Sequence, residues 1–408
     1  MRSETRKLVP GRRWAFTFAA LILVAVLTAV AVRYGGVDEN KAAQGTTAGT
    51  SGACDLPYVT KQIDDHRGIA DWAYPGNPFD AKKAAGKTIF TIQENSANPF
   101  TNAIVSGMKD VADKIGMRLV DYPNQGQRTQ WIQGIQQAIS QKVEVIVLMG
   151  GTIGPIYFSE QAAAADRAGI PIVTVVDRDL TQDAEPDTAA RVGQPYAEAA
   201  RLDADWIIKQ TNCRANVLVI TTNELIAGDI NSKAAQDEFD KYCGGGCTTR
   251  FVNIPLTEWS TKIGTTTQAE VASNPDLNYV FPLYDAMSQF VVPAIQLGGG
   301  ITRIKVATFN GTPGILRMIQ TGDTVEMIVG ENETHLGYAA MDQAMRLMTG
   351  VDPIGNGDYG IPLRVFDHSN VDETGVPPEY GVGYGRQWRD GFLKAWGLPG
   401  QAKEVAEG

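Results

Sequence analysis

Apolar and polar positions alternate along the middle of the chain with two distinct periods. Four short apolar runs have the length and composition of strands: residues 88–93, 118–122, 143–149 and 171–176. Three intervening stretches have apolar residues at every third or fourth position, as on one face of a helix: residues 101–115, 131–140 and 159–168. The run at 143–149 is apolar almost throughout, which is typical of a strand buried on both faces of a parallel sheet. This β-α-β alternation predicts a doubly wound parallel sheet.

The same alternation starts again after residue 192. Helical periods recur at residues 196–210, 232–242, 261–273, 287–297 and 314–321. Strand-like runs lie between them at residues 216–221, 249–254, 279–282, 305–309 and 324–329. The sequence therefore predicts a second α/β unit of the same architecture. Ligands of such sheets bind beyond the carboxyl ends of the strands, and two units that face each other form a cleft.

Polar and aromatic side chains follow the ends of successive predicted strands. Ten of them are candidate ligand-binding residues: Glu94, Asn98, Phe100, Thr101, Asp177, Arg178, Trp259, Tyr284, Asn310 and Glu331. Carboxylates, amides and a guanidinium together donate to and accept from hydroxyl groups, and aromatic rings pack on the C–H faces of sugars. Each residue also has a purely structural interpretation, as a turn former, a local ion pair or a core aromatic. Their recurrence at the same end of successive strands favours a sugar or polyol site.

The N-terminus has the pattern of an export signal. Five basic residues between Arg2 and Arg13 precede an uncharged run at residues 14–32, which is nearly long enough to span a bilayer. The positive-inside rule places this basic end in the cytoplasm and the rest of the chain outside it. The run is either a cleaved signal peptide or an uncleaved membrane anchor, and both remain open. Residues 35–53 are rich in Gly, Ala, Thr and Ser and are expected to form a flexible tether.

Composition and charge exclude several classes of protein. The chain has 408 residues, of which 43% are apolar and 20% charged, so it is neither a disordered polyelectrolyte nor a multi-span membrane protein. Its net charge is −10, but residues 1–33 carry six basic side chains against one acidic one. The remainder carries 30 basic and 45 acidic side chains. Because residues 34–408 are this acidic, nucleic acid is not expected as a partner.

Four cysteines are too few for a disulfide scaffold, but in an exported protein they can pair. We expect Cys213 to bond with Cys243 or Cys247 and so to staple one region, although sequence alone leaves three full pairings open. Cys54 is a disfavoured candidate for lipidation, because it lies well beyond the apolar run. The three histidines are scattered and no Cys-x-x-Cys occurs, so we expect neither a metal site nor a cofactor.

Several short motifs together resemble the ribose-binding-protein type of periplasmic binding protein. They are Lys87-Thr88-Ile89, Asn98-Pro99-Phe100, the run 145–149, the segment 169–173, Asp177-Arg178, the segment 280–285 and the segment 309–313. The resemblance covers roughly residues 87–350, and residues 370–397 look like the C-terminal extension of actinobacterial sugar-binding members. It implies a type I fold of two lobes joined by three hinge crossovers, near residues 192, 330 and 362.

The resemblance also implies a division of the chain into domains. We expect the leader at residues 1–33 and the tether with an N-terminal extension at residues 34–86. The N-terminal lobe is then formed by residues 87–191 plus 332–362. The C-terminal lobe is formed by residues 192–331 plus 363–400.

The function that this resemblance implies is that of an extracytoplasmic receptor. Such a receptor, expected here as a monomer in the periplasm or cell wall space, closes on a monosaccharide or sugar alcohol and presents it to an ABC permease in the membrane. By position, Asn98, Asp177 and Arg178 would hold hydroxyls, while Phe100 and Trp259 would pack on the ring.

Several positions depart from the family pattern and so bear on the ligand. Tyr284, Asn310 and Glu331 replace an Asn, an Asp and a hinge Gln, and Ala235 stands where the family has an arginine that Lys233 could replace. With three carboxylates around Arg178, an acidic ligand would be repelled. A neutral polyol or pentose is therefore expected first, and an amino sugar second.

Two other functions compete with this interpretation. A hydrolase would need a nucleophile elbow and a dinucleotide enzyme would need a glycine-rich turn after the first strand, and neither motif is found. We therefore expect no catalytic residues. If the leader is an uncleaved anchor, the protein could instead be a sensor ectodomain that partners a separate membrane signalling protein.

Overall fold

A computed structural model describes residues 53–322 and 324–398 of the chain. The predicted signal peptide or anchor at residues 1–33, and nearly all of the predicted tether at 35–53, lie outside these residues. Within the described part, no helix is long and apolar enough to cross a membrane.

The described residues form eleven strands. They are β1 (Thr88–Gln93), β2 (Arg118–Tyr122), β3 (Val145–Met149), β4 (Ile172–Asp179), β5 (Ala190–Gln194), β6 (Asn216–Thr221), β7 (Thr248–Asn253), β8 (Tyr279–Pro282), β9 (Lys305–Asn310), β10 (Val325–Gly330) and β11 (Arg364–Asp367).

Eleven α-helices accompany these strands in the described residues. They are α1 (Leu56–Asp65), α2 (Pro99–Ile115), α3 (Arg128–Gln141), α4 (Ser159–Arg167), α5 (Tyr196–Gln210), α6 (Gly228–Tyr242), α7 (Gly264–Ser273), α8 (Ser288–Leu297), α9 (Pro313–Gln320), α10 (Glu333–Thr349) and α11 (Gln387–Ala395).

The strands form two separate sheets, one for each lobe. The first sheet has the order β2-β1-β3-β4-β5 and is parallel throughout, with β3 buried along its whole length. The second has the order β11-β10-β9-β8-β6-β7 and is parallel except for the pairing of β11 with β10. The carboxyl ends of parallel strands meet at one edge of each sheet, so residues that follow them are brought together. The predicted fold class, two doubly wound α/β lobes, is confirmed.

The described chain passes between the lobe cores at five places, which are the three that were predicted and two more. The membership of the two main cores changes between residues 63 and 72, 192 and 196, 329 and 336, 361 and 363, and 384 and 388. The first and last of these passages belong to the N- and C-terminal extensions. Helix α1 packs on the second lobe, whereas Trp72, Tyr74 and Phe79 pack on the first.

The last described residues, 388–398, belong to a different lobe from the one predicted, although residues 363–384 pack on the second lobe as predicted. Residues 363–400 were assigned to the C-terminal lobe, but Trp388, Phe392 and Trp396 are buried in the core of the first lobe. Their rings pack around Tyr338 of α10, with centroids 5.1 to 5.7 Å away. The large apolar surface of α10 accounts for this docking, because an amphipathic helix is stable only where its apolar face is covered.

The cysteine pairing also differs from the prediction. Cys213 is bonded to Cys54, with their Cα atoms 6.0 Å apart, and Cys243 is bonded to Cys247 across a short loop. An isolated bridge between Cys54 and Cys243 lays the start of the described chain beside that loop. The expected bond from Cys213 to Cys243 or Cys247 is therefore wrong, and the disulfide leaves Cys54 no thiol for a lipid.

Candidate functional site

Residues from both lobes enclose a cavity at the carboxyl ends of the two sheets. Its volume is about 580 Å³, including space that is open to solvent. Eight of the ten predicted site residues line it: Glu94, Asn98, Phe100 and Thr101 and Asp177 from the first lobe, and Trp259, Tyr284 and Asn310 from the second. The rule that ligand residues follow parallel strands thus brings together residues more than 200 positions apart.

Arg178 and Glu331 do not line this cavity. The Nη2 atom of Arg178 lies 3.1 Å from Oε1 of Glu185, and its Nε lies 3.8 Å from Oδ2 of Asp177. Glu331 is fully buried between crossing segments, where its Oε2 accepts a hydrogen bond from Gln194. Burial raises the pKa of Glu331 to about 8. The structure therefore pairs both residues with other side chains and leaves them out of the cavity wall.

An irregularity in β4 positions Asp177. Between the pairs Val175–Val192 and Asp179–Gln194, β4 contains two more residues than β5, so the pairing is interrupted. Val176 lies in this bulge with φ at +55°, a left-handed conformation that strains a β-branched residue. Its carbonyl accepts a hydrogen bond of 2.8 Å from the hydroxyl of Tyr196. Such bulges commonly redirect a side chain beside a binding site.

Asp177 is the least satisfied polar group of the cavity wall. Its side chain is 1% exposed, and neither carboxylate oxygen has a hydrogen-bond partner in the described part of the chain. Burial, assisted by the nearby Glu185, raises the pKa of Asp177 to about 6. A buried carboxylate without hydrogen bonds is destabilising even beside a cation, so this position favours a polar ligand that supplies donors.

Glu94 and Asn98 form a rigid pair after β1. The Oδ1 atom of Asn98 accepts from the backbone N–H of Phe100 and so caps helix α2. Its Nδ2 donates to Oε1 of Glu94 over 3.1 Å. Burial raises the pKa of Glu94. Gly150 is required opposite this carboxylate, because a Cβ there would lie 2.5 Å from Oε2 of Glu94.

Aromatic rings form the opposite part of the wall. Trp259 starts a π-helical turn before α7, and such turns are frequent at functional sites. Its Nε1–H donates to Oγ1 of Thr222 over 2.9 Å, which fixes the ring. Tyr284 stacks on it with centroids 6.5 Å apart, and the Tyr284 hydroxyl accepts from Nδ2 of Asn231. Tyr196 meets Tyr284 edge-on at 6.4 Å.

Asp285 is a further acidic residue of the wall, contributed by the second lobe. Its Oδ2 accepts from the backbone N–H of Thr312 over 2.7 Å and from the hydroxyl of the same residue over 2.6 Å. Its Oδ1 is buried and has no partner within the described residues. Burial raises the pKa of Asp285 to about 6.

Other residues of the wall were not among the predicted ligand residues. Besides Asp285 they are Gly150, Gly151, Val176, Tyr196, Leu225, Ala227, Leu256 and Ala286. Tyr196 is the first residue of α5 and follows a passage between the lobes, not a strand end of its own sheet. Its position at the start of the predicted helix at 196–210, just after the predicted crossover near residue 192, was the one signal that could have indicated it.

The cavity wall has no basic side chain among the described residues. Lys233, the candidate replacement for the family arginine, lies on the exposed side of α6 and pairs with Asp237 at 2.7 Å. Ala235 is buried in the core of the second lobe. The possibility that Lys233 takes the place of the arginine is therefore contradicted.

The lobes also touch each other directly through the loops that follow β3, β4 and β6. The backbone N–H of Ile226 donates to the carbonyl of Gly151 over 3.2 Å. The side-chain amide of Gln182 donates to the carbonyl of Ile226 over 3.4 Å. Leu225 packs close to Gly151 and lines the cavity. These contacts hold the two lobes together beside the cavity.

The fold and the site agree with the comparison to known families. A model of the periplasmic binding protein domain matches residues 89–352, which is more than half of the chain. The chain therefore belongs to the periplasmic binding protein family. This is a family of periplasmic solute-binding proteins and not of enzymes.

Individual relatives and structures are similar at low identity. The chain is 21% identical over 270 residues to the ribose import binding protein RbsB of Salmonella typhimurium, covering 66% of this chain and 88% of that protein. The 5-methylthioribose transporter solute binding protein of Thermotoga lettingae, solved with 5-methylthioribose, has a TM-score of 0.63 at 18% identity, over 80% of this chain and 95% of that one. A carbohydrate transporter from Acidothermus cellulolyticus, solved with myo-inositol, has a TM-score of 0.59 at 22% identity, over 71% and 96%. These likenesses to solved structures define the fold.

Proposed function

We propose that this protein is an extracytoplasmic receptor that binds a monosaccharide or sugar alcohol and delivers it to an ABC importer. The observation that carries the proposal is the carboxylate of Asp177, which is buried in the cavity wall and has no hydrogen-bond partner in the described residues, with only the guanidinium of Arg178 3.8 Å away. Hydroxyl groups of a ligand would supply the missing donors. The relatives whose names state a ligand, ribose, 5-methylthioribose or myo-inositol, support the same class.

The chemistry of the wall suits a polyhydroxylated ring. Asp177, Asp285 and Asn310 offer acceptors and an amide, and they come from both lobes. Phe100 and Trp259 supply apolar faces for the C–H groups of such a ligand. Since contacts come from both lobes, the ligand stabilises the closed arrangement over the open one, which is what a transport receptor requires.

The proposed partner is a permease in the membrane, and the receptor acts as a monomer without catalytic chemistry or a cofactor. Its export would depend on the basic, apolar N-terminus, either cleaved or retained as an anchor. The acidic body disfavours nucleic acid as a second partner.

The test is calorimetric titration of the full chain with a panel of pentoses, hexoses, sugar alcohols and sugar acids. We expect at least one neutral or amine-bearing sugar or polyol to bind, and sugar acids to bind least. Asp177→Asn should weaken that binding by roughly tenfold or more, because a hydrogen bond to a charged group is lost. Asp237→Asn, the same change at an exposed position, should leave binding unchanged. Tight binding of sugar acids alone, or no binding of any sugar or polyol, would overturn the proposal.

A further inference from the structure

The cavity has an imbalance of charge. Three carboxyl groups line it, those of Glu94 and Asp177 on the first lobe and that of Asp285 on the second. All three side chains are at most 9% exposed. No Lys, Arg or His among the described residues lines the same wall. A ligand in this cavity therefore meets acidic groups from both lobes and, in the described part of the chain, no basic group of the wall itself.

The basic residues nearest to the cavity are held elsewhere. Arg178 lies between two carboxylates, at 3.8 Å from Asp177 and 3.1 Å from Glu185, so it is shared between them. Arg191 donates from Nε to the carbonyl of Asn356 over 2.8 Å. These two guanidinium groups lie near Asp177, Glu185, Asp179 and Asp183. Within the described residues, no cation interacts in this way with Glu94 or Asp285.

The unpartnered oxygens show where a donor is missing. Both carboxylate oxygens of Asp177 and Oδ1 of Asp285 are buried and lack hydrogen-bond partners in the described residues. A hydroxyl group could satisfy one such oxygen, but it would add no positive charge beside Asp285 and Glu94, and Asp177 shares Arg178 with Glu185. An ammonium group donates three hydrogen bonds. Unlike a hydroxyl group or a water molecule, it also neutralises the charge of a buried carboxylate.

The aromatic residues of the wall also favour a positively charged ligand. Trp259 and Tyr284 are stacked 6.5 Å apart at the cavity, and Phe100 lines it from the other lobe. The faces of aromatic rings attract cations within about 6 Å, most strongly where the site is desolvated. An aromatic wall beside buried carboxylates therefore favours a cation more than either feature would alone.

We propose that the cavity selects polyhydroxylated ligands that carry an ammonium group, such as amino sugars or aminated polyols, over their neutral counterparts. This inference rests on the proposed function and narrows its ligand class. Neither Arg178 nor Lys233 lines the cavity. Because the described wall has carboxyl groups and no basic side chain, we expect an aminated polyol to bind in preference to a neutral one.

The preference depends on pH in a defined direction. Burial raises the pKa of Asp177 and of Asp285 to about 6, so these carboxyls are ionised at pH 7 and largely protonated at pH 5. Glu94 and Tyr284 also line the site. Arg178, Glu185, Arg191 and Tyr196 interact with Asp177, and Glu333, Tyr380 and Tyr384 interact with Asp285. Binding of an ammonium ligand should therefore weaken as pH falls through 6, whereas binding of a neutral ligand should change much less.

The test compares matched ligands on the wild-type full chain by calorimetry. The pairs are glucosamine with glucose and galactosamine with galactose, and N-acetylglucosamine serves as the amide that has lost the charge. At pH 7 we expect the amines to bind roughly tenfold or more tightly than their neutral partners, and this ratio to shrink at pH 5. Glu94→Gln and Asp285→Asn should reduce the ratio, and Asp237→Asn should not.

The outcomes separate this inference from the proposed function. If neutral sugars bind as tightly as the amines, or if N-acetylglucosamine matches glucosamine, the ammonium preference is wrong and the receptor function stands. If no member of the wider panel binds, both fail. Because the decisive comparison uses the wild-type protein, it does not depend on whether an individual variant folds.

Discussion

The side-chain amide of Gln194 donates a hydrogen bond to Oε2 of Glu331, and this contact joins two of the segments that pass between the lobes. Gln194 ends β5, and Glu331 follows β10. The other oxygen of Glu331 is buried without a partner in the described chain. The segments that join the two lobes therefore contain a carboxylic acid, Glu331, whose buried surroundings favour its neutral form.

We predict that Glu331→Gln stabilises the protein more at high pH than at low pH. Burial raises the pKa of Glu331 from its ordinary 4.5 to about 8. Below pH 4.5 the group is neutral in both folded and unfolded chains, but between 4.5 and 8 only the unfolded chain ionises. The wild type therefore loses stability over this window, on the order of a few kcal/mol, and the glutamine variant does not.

Thermal unfolding at pH 5 and pH 8 measures this effect. The difference in Tm between Glu331→Gln and wild type should be larger at pH 8. Glu160→Gln, the same change on the exposed start of α4, should give no such difference. Equal differences at both pH values would contradict the assignment of Glu331 to the buried hinge.

A second prediction concerns Trp259. Replacement by alanine removes the ring that lines the cavity and should weaken ligand binding by about 5- to 30-fold, the effect of losing one aromatic contact with its buried area. In Trp259→Phe, any change of tryptophan fluorescence on addition of ligand should disappear. In Trp206→Phe, which alters a buried ring outside the cavity wall, that change should persist. A signal that survives Trp259→Phe but not Trp206→Phe would place the ligand elsewhere.

The two disulfides should differ in what they contribute to stability. Cys54–Cys213 closes a loop with a sequence separation of 159 residues, and Cys243–Cys247 one of only 4. On chain entropy alone, these correspond to about 5 and about 2 kcal/mol. Denaturant unfolding of the double serine variants of each pair should rank them in that order. A greater loss from the Cys243 and Cys247 variant would show that loop closure does not determine their contributions.

The contact between the lobes should control ligand release. Gln182→Ala removes the amide that donates to the carbonyl of Ile226 across the lobes. We expect dissociation to become about 2- to 10-fold faster with little change in association, since a single hydrogen bond between closed surfaces acts mainly on release. Stopped-flow fluorescence measures both rates, and Gln296→Ala on the exposed side of α8 is the control. A slower association with an unchanged dissociation rate would contradict this role.

The fold could be predicted from the sequence because the spacing of apolar residues in its helices and strands is regular. Strands β1 and β2 were predicted at their observed bounds, and α2 was predicted two residues short of its observed start. β5 was missed because Ala190–Gln194 contains Arg, Gly and Gln, although every residue of it is buried. There Arg191 is held by hydrogen bonds to Asn356, a contact that no local pattern reveals.

The site was predictable only as far as strand ends determine it. Asp177 and Arg178 are neighbours in sequence, yet the bulge at Val176 lets one line the cavity while the other turns to Glu185. Such a bulge depends on the pairing of β4 with β5, and β5 itself was not predicted. Similarly, Cys54 could not be paired from sequence, because its partner is 159 positions away and spacing carries no signal at that range.

The five passages between the lobes have a consequence for biosynthesis. The core of the first lobe includes residues from 72 to 398, so it stays incomplete until Trp388, Phe392 and Trp396 have been added. The ribosome makes the chain from its N-terminus, and these rings are among the last of the described residues to be made. The first lobe therefore cannot reach its native packing while the chain is still being translated. The export proposed above would use this property, because a nascent chain that stays incompletely packed is still unfolded enough to pass through a membrane channel.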